Sequence, residues 1–431
     1  MIRELAAAMP SNGAPDGSPH ARWVGWLEVT ADDRARGQVE VRPVGADHYR
    51  KARVLLRDDL DLLDFVEAEI VDGTVTLPIP TEPTTREKSD PAVALPISVV
   101  VCTRDRPQDL AHALASITAL DYPEFEVVVV DNAPPDDKTA RVIAELADPR
   151  VRRVVEPKPG LSNARNTGVG AARHEIVAFT DDDVVVDPHW LRALARGFAR
   201  NPDAACICGL VPSGELRTAA QAYFDQRVSW ASTLVPTRFS MDDQPAGVPL
   251  FPFQVGRYGT GANFAIKRAE AIEMGGFDEA LGAGSPTRGG EDIDMFYRLV
   301  MAGRVLVNDP AAIVWHRHRA EASTLLEQAT GYGVGFGAWA TKVMLDRDGR
   351  RLAFTVARRR LRDTADRGLA YGAIAAPKSE FNGMVPRRVG ATEIFSVLGG
   401  PWALWRGRRQ GRRPVPLAAT AGAAHSSLNR A

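Results

Sequence analysis

Three cysteines in 431 residues, Cys102, Cys206 and Cys208, are too few for a disulfide framework. All three sit in apolar, strand-like runs, which points to buried thiols in a reducing compartment, and Cys206-Ile207-Cys208 lacks the further ligands a zinc site needs. Charge of one sign is also lacking. Against 53 Lys and Arg stand 54 Asp and Glu, a net charge of −1, so electrostatics gives no case for nucleic acid as the main partner. No uninterrupted apolar run reaches the ~20 residues of a bilayer span, and residues 1–20 have no apolar stretch ahead of a cleavage site. The expected location is cytoplasmic, with peripheral contact on the inner membrane face left open. No Gly-x-Gly-x-x-Gly follows Val101, which argues against a dinucleotide oxidoreductase.

What is present is an ordinary globular composition, 45% hydrophobic and 25% charged, in a chain long enough for two or three domains. Residues 1–20 are rich in Ala, Gly, Pro and Ser and are expected to be disordered. Residues 21–80 alternate in short apolar segments, with Asp72-Gly73 as a type I′ turn signal, and predict a small antiparallel β domain suited to packing or oligomerisation. Residues 81–95 have the composition of a linker. From there the pattern changes. Continuous apolar runs at 97–101, 125–130, 151–155 and 176–179 alternate with helix-like stretches, which predicts crossover units and a parallel sheet covered on both faces. Residues 321–413 look helical and Arg-rich, and 414–431 look disordered.

The run at 176–179 ends in Asp181-Asp182-Asp183. Stacked carboxylates repel unless a cation, a helix N-terminus or water relieves them, and the carboxyl ends of strands in an open α/β sheet are where ligands bind. The loops after the first strands add Thr103 and Arg106, then Asp131-Asn132, then residues 158–166 with Lys158, Arg165 and Asn166. A carboxylate at Asp131 can accept hydrogen bonds from a base or ribose. Arg106, Lys158 and Arg165 can face phosphate oxygens, and a helix N-terminus near Ser162 favours anions. Oxygen ligands from Asp181 and Asp183 suit Mg²⁺ or Mn²⁺ on a diphosphate. Each feature alone has a plain structural reading as a turn, a cap or a solvated side chain.

The downstream half adds Glu291-Asp292 at the start of a helix-like run, after a Gly-rich segment that permits close approach to a ligand. Residues 313–318 end an apolar strand in two histidines, His316 and His318, and His316 is a candidate metal ligand. Asn263 in a tight Gly-rich turn and Asp278 after Gly275-Gly276 are candidates on the acceptor side, with Glu291.

Taken in order, residues 101–107, 130–132, 160–166, 179–183, 275–278, 289–292 and 315–316 resemble the motifs of the family 2 glycosyltransferases, over about residues 96–320. The resemblance implies an α/β GT-A nucleotide-diphospho-sugar transferase fold, flanked here by the small β domain and the helical C-terminal region. It also implies transfer of a sugar, with inversion, from a nucleotide-diphosphate sugar to an acceptor hydroxyl on a glycan, lipid-linked or small-molecule acceptor. Carried over, Thr103, Arg106, Asp131, Arg165, Asn166, Asp181 and Asp182 hold the donor. Asp181, Asp183 and His316 hold Mg²⁺ or Mn²⁺, and Asp292 is the catalytic base. Arg104 replaces the aromatic residue often found after the Thr, and Gln221, Arg227 and Trp230 do not reproduce the Gln-x-x-Arg-Trp of processive synthases. A non-catalytic nucleotide-sugar-binding relative and a metal-dependent nucleotidyltransferase are the alternatives. The first is opposed by the retained acids, the second by the absence of Gly between Thr103 and Pro107.

Overall fold

The computed structural model describes residues 2–80, 93–228, 233–365, 381, 383–386 and 388–417. Residues 81–92 of the linker expected over 81–95, residues 418–431 of the tail expected over 414–431, and Trp230 lie outside the described residues.

The N-terminal part comprises β1 (Arg3–Leu5), β2 (Trp23–Glu28), α1 (Ala31–Arg36), β3 (Gln38–Pro43), β4 (Lys51–Asp58), β5 (Asp61–Glu69) and β6 (Val75–Pro78). The strands form two three-stranded sheets, β1-β3-β6 and β2-β4-β5. Both are mixed rather than antiparallel, because β1 runs parallel to β3 and β2 parallel to β4. Parallel neighbours need long crossovers that leave no turn signal in the sequence. Asp72 and Gly73 do adopt positive φ, 50° and 75°, and Val71 bridges Thr74. The flanking strands then diverge into different sheets. Residues 2–20, expected to be disordered, instead contribute β1 and bury Leu5, Ala8 and Met9. Those three apolar side chains were hidden by the average polarity of the segment.

The central sheet is built from β7 (Ile97–Thr103), β8 (Phe125–Asn132), β9 (Val151–Glu156), β10 (Ile176–Thr180), β11 (Val184–Val186), β12 (Ala204–Leu210), β13 (Thr237–Phe239), β14 (Asn263–Lys267) and β15 (Val305–His316). Its order is β11-β15-β12-β14-β10-β7-β8-β9, with β13 on β15. β10, β7, β8 and β9 are parallel, whereas β14 is antiparallel to both β10 and β12. Helices α2 (Pro107–Thr118), α3 (Lys138–Leu146), α4 (Leu161–Ala171), α5 (Trp190–Arg200), α6 (Ala219–Arg227), α7 (Arg268–Glu273) and α8 (Glu291–Met301) connect the strands. Val100, Val128 and Val130 enter one core cluster, while Val99, Val101, Val127 and Val129 enter another. Successive strand residues point to opposite faces, so both faces of the sheet are covered and its strands read as unbroken apolar runs.

Beyond the sheet, α9 (Ala322–Leu345), α10 (Arg347–Ala365), α11 (Val389–Ser396) and α12 (Gly400–Arg409) make a helical C-terminal region. Val415 and Leu417 are buried as well, so the start of the tail packs instead of fraying, again through isolated apolar side chains.

The N-terminal sheets lie against the β11–β15 edge, where Ala8, Val24 and Leu55 share a cluster with Leu210, Ile313 and Trp315. Arg57 crosses this contact. Its Nη1 donates to Asp187 Oδ1 at 2.7 Å, with the side chains 1% and 0% exposed, and its guanidinium stacks on Trp26 at 3.9 Å. Removing one partner of a buried pair strands the other charge. Arg57→Ala is expected to cost about 3–5 kcal/mol of unfolding free energy, and Arg57→Met with Asp187→Leu much less. Chemical denaturation of the two variants checks this.

Candidate active site

Parallel pairing brings the carboxyl ends of β7, β8 and β10 to one edge, with Thr103 level with Asp131. After β10 the chain passes through Asp181-Asp182-Asp183 into β11, which pairs antiparallel with the end of β15. That register sets Val184 opposite His316 and so lays the histidine beside Asp183. His316 Nε2 is 3.2 Å from Asp183 Oδ1. Asp182 accepts from Thr103 Oγ1 at 2.7 Å and Arg106 Nη1 at 3.2 Å, and the same Nη1 reaches Asp183 Oδ2 at 3.1 Å. Burial and the neighbouring Asp183 push the Asp182 carboxyl up to about 7. Burial acts on Asp183 too, but the charge and hydrogen bond of His316, with Arg106, outweigh it and hold that carboxyl well below the usual range. Asp181, Asp183 and His316 each offer a ligand atom within 4.8 Å of the others. Two carboxylate oxygens and one imidazole nitrogen suit a hard or borderline divalent cation such as Mg²⁺ or Mn²⁺.

Arg165, on α4 and buried, joins this cluster to the start of α8. Its Nη1 donates to Glu291 Oε1 at 2.8 Å, its Nη2 to Gly261 O at 3.0 Å, and Nη2 lies 3.8 Å from Asp181 Oδ1. The peptide N–H of Gly261 in turn donates to Asp292 Oδ2 at 2.8 Å, and Asp292 Oδ1 accepts from Ile293 N at 2.8 Å. A Cβ at Gly261 would sit 2.5 Å from Arg165 Nη2, so a larger residue has to displace that guanidinium. Burial and the adjacent Asp292 raise the Glu291 carboxyl to about 7. Asp131 is fully buried. Its Oδ2 takes Nε and Nη2 of Arg153 at 2.8 and 2.6 Å, while Oδ1 has no partner among the described residues.

Residues 98–257 match the description "Glycosyl transferase family 2". A pre-mycofactocin glycosyltransferase of Mycobacterium tuberculosis (strain ATCC 25618 / H37Rv) is 29% identical over 290 residues, 65% of this chain and 55% of that protein. The succinoglycan biosynthesis protein ExoM of Rhizobium meliloti (strain 1021) is 30% identical over 232 residues, 52% of this chain and 67% of that protein. The chain belongs to glycosyl transferase family 2. Its mixed α/β sheet is the GT-A fold expected from the motifs. It spans about half, 55%, of the length of the pre-mycofactocin relative. Among solved structures, the mannosyltransferase PcManGT from Pyrobaculum calidifontis, in complex with GDP-Man and Mn²⁺, is similar at a TM-score of 0.45 and 20% identity, covering 73% of this chain and 91% of that one.

In this family 2 chain the expected site residues separate into two groups. Thr103, Arg106, Arg165, Asp181, Asp182, Asp183, Glu291, Asp292 and His316 are joined by the contacts above, and Asp131 lies level with Thr103. Three others have their side chains committed to the fold. The amide of Asn166 donates to Phe277 O at 2.9 Å and accepts from Phe277 N at 2.7 Å, so it clamps a loop rather than facing a donor. Asn263 is fully buried, donating to Leu210 O and Ala312 O at 2.9 and 2.7 Å and accepting from Trp190 Nε1 at 2.9 Å. Asp278, also fully buried, takes Lys342 Nζ at 2.9 Å and Ala280 N at 3.0 Å. Neither Asn263 nor Asp278 is available to an acceptor. Lys158 pairs with Glu279 rather than facing phosphate, and the anion seat expected near Ser162 is covered, Ser162 Oγ donating to Leu281 O at 2.8 Å.

Two residues were not selected from the sequence. His318 Nδ1 lies 3.0 Å from His316 Nδ1. Burial and the facing His316 push its pKa well below the usual value. A neutral His318 can accept from Nδ1–H of His316 and so fix the tautomer that leaves Nε2 free for a cation, the outer-shell arrangement common at metal sites. Its signal was the two-residue spacing of the histidines, His316 ending β15 and His318 two residues beyond it. Tyr332, on α9, is within electrostatic reach of Asp292 and Asp181, and nothing local in the sequence marks it.

Asn263→Ala orphans three buried groups at once. It is expected to lower stability by about 2–4 kcal/mol, measured by chemical denaturation. An acceptor-side role would instead leave stability unchanged and raise the acceptor KM.

Proposed function

We propose that the chain is an inverting, metal-dependent glycosyltransferase that moves a sugar from a nucleotide-diphosphate sugar to an acceptor hydroxyl, with Asp292 as general base. The observation that carries this reading is the hub at Arg165 and Gly261. One arginine touches the Asp181 side of the acidic strand end and takes the carbonyl of Gly261, and the N–H of the same glycine orients the Asp292 carboxylate. The unpartnered Oδ1 of Asp131 supports this carboxylate as the acceptor of hydrogen bonds from the donor's base or ribose. Arg106, 43% exposed beside Asp182 and Asp183, is placed to meet phosphate oxygens. Asp181, Asp183 and His316 would hold the cation, which supplies Lewis-acid stabilisation of the charge that grows on the departing diphosphate.

Two backbone N–H groups orient Asp292 and leave it lone pairs to spare. It takes the proton of the acceptor hydroxyl as that oxygen bonds to the sugar's anomeric carbon. The bond from that carbon to the phosphate oxygen breaks, its electron pair leaves with the nucleotide diphosphate, and a single displacement inverts the centre without an enzyme nucleophile. In this reading residues 96–320 are the transferase domain and 21–80 a module that braces the β11–β15 edge. Within the 321–413 region, α9 packs against residues 288–290, next to Asp292. The succinoglycan relative's name supports glycan assembly as the setting.

Asp292→Asn is expected to lower kcat by roughly 10²–10⁴-fold while the donor KM stays put. Steady-state kinetics, with the product anomer read by NMR, tests this. An unchanged kcat removes Asp292 as the base, and a retained anomer removes the single displacement.

A further inference from the structure

The helical run at 389–409 leaves its apolar side in water. A single turn, Val397–Gly399, joins α11 to α12, so helical periodicity continues through both. On the inner side Gly400, Ala403, Leu404 and Gly407 are buried. Gly400 meets Gly337 of α9, and Gly407 meets Ala280. The outer side carries Ile394, Phe395, Leu398, Trp402 and Trp405, which are 40%, 71%, 78%, 59% and 51% exposed. Their spacing of three to four residues puts them on one stripe. Single exposed apolar residues are ordinary on a soluble surface, but a contiguous stripe of large ones marks an interaction site.

The charge around the stripe narrows the partner. Residues 388–417 include six Arg, no Lys and one acid, Glu393, and that acid is paired with Arg227 Nη2 at 2.6 Å. Arg406 lies over Trp402 at 5.2 Å, and Arg409 over Trp405 at 4.4 Å. Tryptophan beside arginine along an apolar band is the chemistry of a membrane interface, where the ring sits at headgroup depth and guanidinium meets lipid phosphate. No helix among the described residues is long and apolar enough to cross a membrane, so such a contact is peripheral.

α9 links this stripe to the base. Gly331 and Gly335 face residues 288–290, whereas Gly333 and Gly337 face residues 393–397 and Gly400. A Cβ on Gly335 would lie 2.7 Å from the Gly289 carbonyl carbon, and one on Gly337 2.1 Å from Val397 O. At ~100° per residue, Tyr332 and Phe336 project between the two sets, and they are 45% and 43% exposed. The apolar surface thus runs along the edge of α9 from the stripe towards residues 288–290, the loop that leads into Asp292 on α8.

We propose that the stripe at 394–405 and its arginine rim dock on an anionic lipid surface. That the bilayer then borders the acceptor side, favouring an acceptor hydroxyl carried on a membrane-anchored molecule, rests on the function proposed above. The docking itself does not.

Co-sedimentation of the full chain with phosphatidylglycerol/phosphatidylcholine vesicles tests this. Binding is expected to anionic vesicles, weaker at high salt, and reduced about tenfold or more by Phe395→Ser with Leu398→Ser and Trp402→Ser. Arg406→Gln with Arg408→Gln and Arg409→Gln is expected to weaken binding and remove its salt dependence. Thermal unfolding and Mn²⁺-dependent binding of nucleoside diphosphates, followed in parallel, keep folding and the transferase reading separate. Loss of nucleotide binding with vesicle binding intact would count against the transferase and leave the docking surface standing. No vesicle binding, equal binding to pure phosphatidylcholine, or a dimer in solution that the apolar substitutions dissolve would overturn the proposal.

Discussion

Three carboxylates at the end of one buried strand set the terms for the rest of the structure. Like charges held ~4 Å apart at an effective dielectric of ~20 repel by about 4 kcal/mol, so the fold has to bring cations to them or keep protons on them. It does both. Arg106 reaches Asp182 and Asp183, Arg165 lies against Asp181, and His316 arrives beside Asp183. Asp182, enclosed between Thr103 and Arg106, is pushed up to about 7 by burial and its neighbour. The acids left facing one another with His316 are those whose donor atoms suit a divalent ion.

The partners come from distant parts of the chain, and the sheet explains how they meet. β15 is long enough to pair with β12 at one end and β11 at the other, which carries His316 back to the acidic strand end. α4 delivers Arg165 from beneath, and the Gly261 turn just before β14 delivers the peptide that orients Asp292. α9 packs against the start of α8 on the far side. Lys342 of α9 takes both Asp278 and Asp294, at 2.9 and 2.7 Å. Glycines on two sides of α9 let it lie close to residues 288–290 and to the C-terminal helices.

The sheet could be read from the sequence because its strands are covered on both faces and need no alternation, and because Pro107 and the acidic start of α8 mark helix ends. The acidic cluster, Glu291-Asp292 and His316 were legible for a related reason: charges that follow apolar runs are conspicuous. Side-chain commitments were not. Asn166, Asn263 and Asp278 have residue types suited to ligands, and only the fold shows that backbone carbonyls, Trp190 and Lys342 already occupy them. The strand pairing of the N-terminal sheets was hidden because parallel neighbours are far apart in sequence. His318 and Tyr332 were missed because their relevance depends on which element packs against which.

The central claim is that Asp181, Asp183 and His316 form one cation site that serves a diphosphate. Calorimetric titration of UDP and GDP into the full chain, with and without Mn²⁺, tests it most directly. Binding of at least one nucleotide should require the ion, and Asp183→Ala and His316→Ala should each abolish the ion's contribution while leaving the fold intact. Nucleotide binding that is indifferent to Mn²⁺, or Mn²⁺ dependence that survives both substitutions, would contradict the account.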